Sequence, residues 1–329
     1  MNLAAAQPVV ASLTPVFLLI GVGFMAGRVG WIRAEAVKDL SNLTFLLLIP
    51  ALLFRTMSSV HVEQLDLRPI AAYFVAALGL LAVLVGWLGL HPRGVVTALA
   101  GVFSNMVMIG ITLVELAYGK QGLVTLLTLV SVHALILLTV ATVLLEVAVA
   151  RKAQGQGDAE GRAGVELSGW ARLRALATST ARVAQGALVH PIPLPIACGL
   201  LFAQTGWALP AVVDKPLQLL GSAFGPISLV LVGVTMARTP VGEHWRSALG
   251  VSVSKNLVLP LLVGASAWAF GIGGLPLTVM VVAAALPIGA NVFLFSQRYH
   301  VAHDLVTASI GVSTGLAMVT LSAFMLWLA

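Results

Sequence analysis

The stretch VVAAALPIGANVFLFSQRY, residues 281–299, is an apolar run with Pro287 and Gly289 at its centre and Asn291 two residues later. Proline removes one backbone donor and clashes with the preceding helical turn, so a membrane helix through this run would leave carbonyl groups one turn earlier without partners. Such a break is tolerated in a bilayer only beside protein or water. The run therefore predicts an interrupted helix inside a helical bundle.

A second apolar run, ALAGVFSNMVMIGITLVELAYG at residues 98–119, carries Ser104 and Asn105 at its centre. Two broken helices that meet at the membrane midplane would direct half-helix N-termini, each worth about half a positive charge, at one cavity. Asn105 and Asn291 could then donate amide hydrogens to a carboxylate, and Ser104 could donate its hydroxyl. The alternative is that these groups only form hydrogen bonds with neighbouring helices.

The composition of the whole chain is that of an integral membrane protein. Of its 329 residues, 59% are hydrophobic and 9% are charged, whereas an ordinary soluble domain has roughly 25% charged residues. The formal net charge of +6 does not indicate nucleic-acid binding, because the basic residues lie at the ends of apolar runs and form no stripe. We therefore expect an all-α protein embedded in the lipid bilayer.

Ten apolar runs are long enough to cross a bilayer as helices. They cover residues 8–28, 37–57, 68–90, 95–118, 122–149, 187–208, 214–237, 249–271, 275–297 and 304–328. The polar segment 151–185 separates residues 1–150 from residues 186–329, and each half holds five runs. Since five is odd, the second half enters the membrane from the opposite side, and the sequence predicts two inverted five-helix repeats. The polar linker is interpreted either as containing an interfacial helix or as a solvated connector.

The orientation follows from the basic residues on the two sides of the ten runs. Fourteen Lys and Arg residues fall on the side of the 151–185 linker and four fall on the other side. The positive-inside rule then places the linker in the cytoplasm and both termini in the periplasm of a bacterial inner membrane.

Further polar residues within the runs are candidates for binding or coupling. Asn42 and Gln218 could line the same cavity from the cytoplasmic side, and the alternative is that both only form hydrogen bonds with neighbouring helices. His133 and Glu115 are candidates for proton coupling, because ionisable groups inside a membrane are often functional. Lys255, near the inner end of the eighth run, is expected to snorkel to the membrane surface.

The sequence carries no motif for enzymatic chemistry, a cofactor or a metal ion. It has no His and Glu ligand spacing, no glycine-rich phosphate loop and no nucleophile elbow. Its single cysteine, Cys198, excludes an internal disulfide. We therefore predict a non-enzymatic protein that uses no cofactor and depends on a gradient for energy.

Several motifs together resemble the auxin efflux carrier family of membrane transport proteins, which includes plant auxin exporters and bacterial malonate or malate permeases. The motifs are LTPVFLLIGVGFMAGRVGWI with LSNLTFLLLIPALLF, GVFSNMVMIG, LGSAFGPISLVLVGVTMAR, LPIGANVFLFSQRYHV and the closing STGLAMVTLSAFMLW. The resemblance covers almost the whole chain.

The resemblance implies crossed, interrupted helices 4 and 9, a scaffold domain, and a transport domain that moves past it in an elevator-like cycle. It also implies a carboxylate substrate at the crossing and is compatible with a homodimer. In this chain the residues that correspond to the crossing of the two helices are Asn105 in helix 4 and Pro287 and Asn291 in helix 9. This chain has Val107 and Thr112 where the family's fourth helix often has glycine and proline, so a milder interruption is expected in helix 4 than in helix 9.

The leading hypothesis is a secondary transporter for a small organic anion, a mono- or dicarboxylate. One alternative is a carrier of a neutral solute or of a steroid-like anion coupled to sodium. A sodium site would favour a nearby carboxylate, and no acidic residue lies within nine positions of Asn105 or Asn291. The other alternative is a membrane receptor or scaffold that recruits a partner through the 151–185 linker.

Overall fold

In the computed structural model the described residues are 3–60, 66–160, 192–239 and 242–329, and their regular structure is helical apart from one isolated backbone bridge. The helices are α1 (Leu3–Val29), α2 (Ala34–Leu43), α3 (Ile49–Met57), α4 (Arg68–Leu88), α5 (Pro92–Ala100), α6 (Ile111–Glu160), α7 (Pro193–Gln204), α8 (Ala211–Ala237), α9 (Trp245–Val253), α10 (Leu259–Ala269), α11 (Gly274–Ala285), α12 (Asn291–Tyr299) and α13 (His303–Trp327). Three π-helical turns connect or extend them, at Thr44–Leu48, Met106–Gly110 and Ser254–Val258. The all-α class is confirmed.

Seven helical stretches of the described ranges are long and apolar enough to cross a membrane. They are Gln7–Val29, Glu35–Met57, Arg68–Leu88, Met106–Val149, Ala211–Ala237, Trp245–Ala269 and His303–Trp327. Two shorter apolar helices, Pro193–Gln204 and Gly274–Ala285, accompany them. The multi-pass membrane character is confirmed.

The number of long helices is smaller than the ten predicted runs because several runs are broken, merged or short. The fourth and fifth runs merge into one stretch across Gly119, whose φ of 62° and ψ of −158° turn the chain within α6. The ninth run is divided between α11 and α12, and the sixth forms only the 12-residue helix α7.

Helix α6 continues to Glu160 and so includes the first ten residues of the predicted linker 151–185, because an existing helix is extended at little cost. The rest of the linker, 161–185, and its predicted interfacial helix lie outside the described residues.

Exposed tryptophans stand at the ends of the membrane helices. They are Trp31 just after α1, Trp87 in the last turn of α4, Trp207 between α7 and α8, Trp245 at the start of α9, Trp268 in the last turn of α10, and Trp327 at the end of α13. Tryptophan is enriched where a membrane meets water, because its ring is apolar and its N–H is polar. These positions therefore mark the two edges of the bilayer.

The helices pack in two groups, and each group draws on both halves of the sequence. In the first group, α1 packs on α8, and α3 packs on α7 and α8. In the second group, which we call the crossing group, α4 packs on α5 and α10, α9 packs on α13, and α11 packs on α6 and α10.

In the first group, helices α1 and α8 are in close contact at two glycines. A methyl group at Gly23 of α1 would overlap the carbonyl oxygen of Val230, and one at Gly233 of α8 would overlap that of Ile20. Helices in lipid associate through such close packing, because the lipid tails are as apolar as the side chains. The two backbones therefore touch where both side chains are hydrogen.

Gly23→Ala should lower the free energy of unfolding by about 1–3 kcal/mol, the usual cost of overpacking, because the added methyl group forces α1 away from α8. Gly21→Ala is the matched control, since a methyl group there meets no atom within 4 Å and alanine favours the helix. The measurement is thermal unfolding in detergent. Equal melting temperatures for the two variants would contradict the backbone contact.

Candidate functional site

Two interrupted helices cross and pair through their backbones. Helix α5 ends at Ala100 and α11 ends at Ala285, and five residues follow each before the next helical turn begins. The Asn105 N–H donates to the Pro287 carbonyl at 2.8 Å, and the Gly289 N–H donates to the Phe103 carbonyl at 3.0 Å. The two breaks thus form a short antiparallel pair, which we call the crossing.

The local sequence explains why the chains approach so closely. Pro287 keeps Leu286 extended (φ −57°, ψ 153°), which ends α11. A Cβ at Gly289 would lie 2.8 Å from the ring of Phe103 and 3.1 Å from the carbonyl oxygen of Ser104. Only glycine therefore allows the pairing at this position.

Asn105 and Asn291 each stand where a second half-helix begins. Asn105 is the N-cap of the turn Met106–Gly110, and its Oδ1 accepts from the Met108 N–H at 3.3 Å. Asn291 is the first residue of α12. Both are half-buried, and within the described part of the chain neither side-chain amide has a hydrogen-bonded acceptor. Two helix N-termini with free amide donors thus flank the crossing.

Ser104, Pro287 and Gly289 have roles inside the crossing. The Ser104 hydroxyl is 2% exposed and lies 3.3 Å from the hydroxyl of Tyr73 on α4. Pro287 accepts the Asn105 N–H, and Gly289 provides the close approach. These three residues hold the two breaks together, whereas the side-chain amides of the two asparagines have no acceptor among the described residues.

Lys255 reaches the crossing from the turn Ser254–Val258 and is completely buried. Its Nζ donates to the carbonyl oxygen of Ala284 and, at 2.7 Å, to that of Leu286. The prediction that Lys255 snorkels to the surface was wrong, because the carbonyls left free at the end of α11 offer the ammonium group partners inside the membrane.

One feature of the sequence could have predicted the unusual position of Lys255, namely the proline five residues later. Pro260 has no N–H, so the carbonyl of Asn256 loses its α-helical partner and a π-turn forms. The same order occurs where the turn Thr44–Leu48 precedes Pro50. A π-turn inside a membrane helix often marks a functional position.

Two side chains hold the other end of the second break. The Ile288 N–H donates to Ser313 Oγ at 3.0 Å, and Asn256 Nδ2 donates to the Ser313 carbonyl at 3.0 Å. Ser313 on α13, joined to Asn256 of the turn Ser254–Val258, therefore holds the second break from one side.

His133 lies next to the crossing, with its ring centroid 4.7 Å from that of Phe103 and 5.7 Å from that of Tyr73. It is 3% exposed, and neither ring nitrogen has a hydrogen-bond partner. His133 is thus central, as its place in the sequence suggested.

Glu115 lies away from the crossing, at a cavity of about 620 Å³ between α3, α6 and the α7–α8 connection. Lys120, Arg55 and Asp214 also line this cavity, which we call the outer cavity, and Arg55 forms an ion pair with Asp214 at 2.7 Å. Since Glu115 is ten residues beyond Asn105, about 15 Å of helix separates the outer cavity from the crossing.

Asn42 does not join the other predicted site residues. It is exposed near the end of α2, which packs on α8. Gln218 accepts from Lys215 at 3.2 Å and lies one turn from Asp214 at the outer cavity, whereas Asn42 lies 13 residues before Arg55, about 20 Å along the helix. The prediction that Asn42 and Gln218 line one cavity was therefore wrong, since the two ends of the bundle separate them.

The described part of the chain contains no group of three His, Cys, Asp or Glu side chains that could hold a metal ion. The positive groups at the crossing are two helix N-termini and one lysine.

Comparison with known proteins matches this chain to transporters along nearly its whole length. A family model described as membrane transport protein matches residues 8–325. One relative, named "Putative malonate transporter", from Rhizobium meliloti (strain 1021), is 26% identical over 322 residues, which cover 94% of this chain and 93% of the relative. Another, "Auxin efflux carrier component 8" of Arabidopsis thaliana, is 22% identical over 355 residues, which cover 96% of each chain.

Ser104→Ala and Tyr73→Phe should each destabilise the fold by about 0.6 kcal/mol, the average for a hydrogen bond between membrane helices. Since both remove the same bond, the double variant should lose little more than either single variant. The measurement is a double-mutant cycle from reversible unfolding in detergent and lipid. Additive losses would mean that the two hydroxyls act separately.

Proposed function

We propose that this chain, which belongs to the membrane transport protein family of auxin efflux carriers, is a secondary transporter of a small organic anion, a mono- or dicarboxylate. Family membership makes it a transporter and not an enzyme, with a transported solute and the lipid bilayer as its partners. The substrate class rests on one observation, the pair of helix N-termini with half-buried asparagines at the crossing.

The electrostatics of the crossing favour an anion. The N-termini at Asn105 and Asn291 each carry about half a positive charge, and their side-chain amides can donate hydrogen bonds to carboxylate oxygens. Lys255 adds a full positive charge on the far side of the second break. No acidic residue lies within nine positions of either asparagine. A bound carboxylate would therefore neutralise the positive charge of the two N-termini.

The transporter fold that we propose passes through the membrane ten times, in two inverted five-helix repeats, residues 1–150 and 186–329. Two features support it: the interruptions occur in the fourth run of each half, and an asparagine begins the second half-helix in both. Ten passages result if each broken helix is counted once and the two parts of α6 on either side of Gly119 are counted separately.

We further propose that the crossing group moves against the first group in an elevator-type cycle. Helix α1 contacts α6 and α13 across the boundary between the groups, and α8 contacts the turn Met106–Gly110. Ser228 Oγ donates to the Met108 carbonyl at 2.9 Å, and a Cβ at Gly225 would meet Thr112 at 3.0 Å. In this proposal these contacts break and form again as the crossing group slides.

The outer cavity would give the substrate access from one side of the membrane. It lies between the first group and α6. Arg55 is paired there with Asp214, whereas Lys120 forms no ion pair within the described residues. Glu115 faces the same space and stays a candidate for proton coupling, as does His133 beside Phe103. Of the two, His133 lies closer to the crossing and could respond directly to a bound anion.

We propose the orientation that the basic residues predict. Removing Lys255, which lies inside the bundle, from the fourteen basic residues leaves thirteen against four. By the positive-inside rule, this bias favours a bacterial inner-membrane protein with both termini in the periplasm.

The alternative functions have weaker support. A sodium-coupled carrier would use the carbonyl oxygens of the second break for the ion, and Lys255 already occupies two of them. A receptor or scaffold would act through the 151–185 linker, most of which lies outside the described residues.

Asn105→Asp and Asn291→Asp should each reduce carboxylate uptake at least tenfold, because a negative charge would replace the amide donor that faces the anion. Aspartate is as good an N-cap as asparagine, so the Asn105 half-helix should still form. The measurement is uptake of radiolabelled malonate and related dicarboxylates by the purified protein in liposomes.

Asn42→Asp is the matched control, since it makes the same chemical change on the exposed face of α2 and should keep normal uptake. Normal uptake by both Asn105→Asp and Asn291→Asp would eliminate the crossing as the anion site.

A disulfide between the two groups should stop transport if the groups move. In a Cys198→Ser background, Thr112→Cys with Gly225→Cys places the two Cβ atoms about 3.7 Å apart, within the range for a disulfide. Oxidation should block uptake, and a reducing agent should restore it.

The control disulfide joins two helices of the first group. Leu52→Cys with Gly221→Cys brings the Cβ atoms to about 3.4 Å, and its oxidation should leave uptake unchanged. Undiminished uptake with a fully oxidised 112–225 disulfide would refute the sliding motion.

A further inference from the structure

Lys255 has no acidic partner among the described residues. Within those ranges the ion pairs are Arg55 with Asp214 and Arg68 with Asp66. Its two hydrogen-bond partners are backbone carbonyls. The Lys255 nitrogen therefore lies among neutral oxygens, as a free bound cation would.

The surroundings of Lys255 have the features of a cation site. The carbonyls of Ala284 and Leu286 belong to the C-terminal end of α11, where the helix dipole is negative. Unwound carbonyls and half-helix C-termini are the groups with which broken membrane helices bind sodium. Two more oxygens of the same π-turn, Ser254 Oγ and Asn256 Oδ1, are buried and have no partner.

We propose that Lys255 is a tethered cation, whose ammonium group takes the place of a free monovalent cation at the second break. It stabilises the interrupted helix and supplies the fixed positive charge beside the anion site. Because the cation is covalently attached, the crossing needs no sodium in order to form. The effect on transport rests on the proposed function, whereas the effect on stability does not.

The test opens the site by removing the side chain. Lys255→Ala should be destabilised in choline chloride, whose cation is too large to enter. Replacing choline by sodium, potassium or methylammonium at equal ionic strength should raise its melting temperature by about 5 °C, because a bound cation stabilises the folded state. The melting temperature of the wild type should not depend on which cation is present.

Two controls separate cation binding from general salt effects. Lys255→Met keeps an unbranched side chain in the site and leaves little space, so no small cation should stabilise it. Lys120→Ala removes an exposed lysine of α6 next to Gly119, and its melting temperature, like that of the wild type, should not depend on which cation is present. The proposal is overturned if none of the three cations stabilises Lys255→Ala, or if they stabilise the wild type equally.

The wild type provides a test even if Lys255→Ala does not fold. Its uptake of labelled malonate should be the same in sodium and in choline buffers, and dependence on sodium would overturn the tethered cation. Absence of uptake for any carboxylate would count against the proposed function alone, since the melting measurements do not require transport.

Discussion

The structure depends on the backbone pairing between residues 103–105 and 287–289. A bilayer offers no hydrogen-bond partners, so each helix break must satisfy its own N–H and C=O groups within the protein. Here each break satisfies the other, through the Asn105 N–H on the Pro287 carbonyl and the Gly289 N–H on the Phe103 carbonyl. Neither interruption could exist in lipid alone, and their pairing forces the two half-helix N-termini toward the same region.

The two breaks are supported differently. The first is closed mostly by its own chain, since the Gly101, Val102 and Phe103 N–H groups donate to carbonyls of α5. The second contains a proline and uses side chains from other helices, namely Lys255 and Ser313. The asymmetry places the amino group of Lys255 beside one of two otherwise similar breaks.

Much of the fold could be predicted from the sequence. Pro287 and Gly289 revealed one break, and the polar residues Ser104 and Asn105 pointed to the other. We expected a milder interruption in the fourth run, but both breaks span five residues. A single run cannot reveal their pairing, since it joins residues more than 180 positions apart.

The residues that escaped prediction are those whose role depends on distant backbone groups. Lysine near a helix end usually extends to the membrane surface, and only the free carbonyls of α11 draw Lys255 inward. Ser104 was in the right place, but its partner Tyr73 lies on another helix. Asn42 has the same residue type as Asn105 and Asn291 but lies on the exposed surface of α2, away from the crossing. Polarity in an apolar run thus located the crossing, while tertiary contacts decided which polar groups have partners there.

The crossing and its supports all belong to one packing group. Tyr73 on α4, Lys255 before α10 and Ser313 on α13 bond to the crossing, and none of these helices is part of the first group. If the crossing group moves, these hydrogen bonds move with it and none has to break. A motion within the crossing group would instead expose carbonyls to lipid, at a cost of several kcal/mol for each group. The hydrogen-bond pattern thus favours movement of the whole group over local opening of the broken helices.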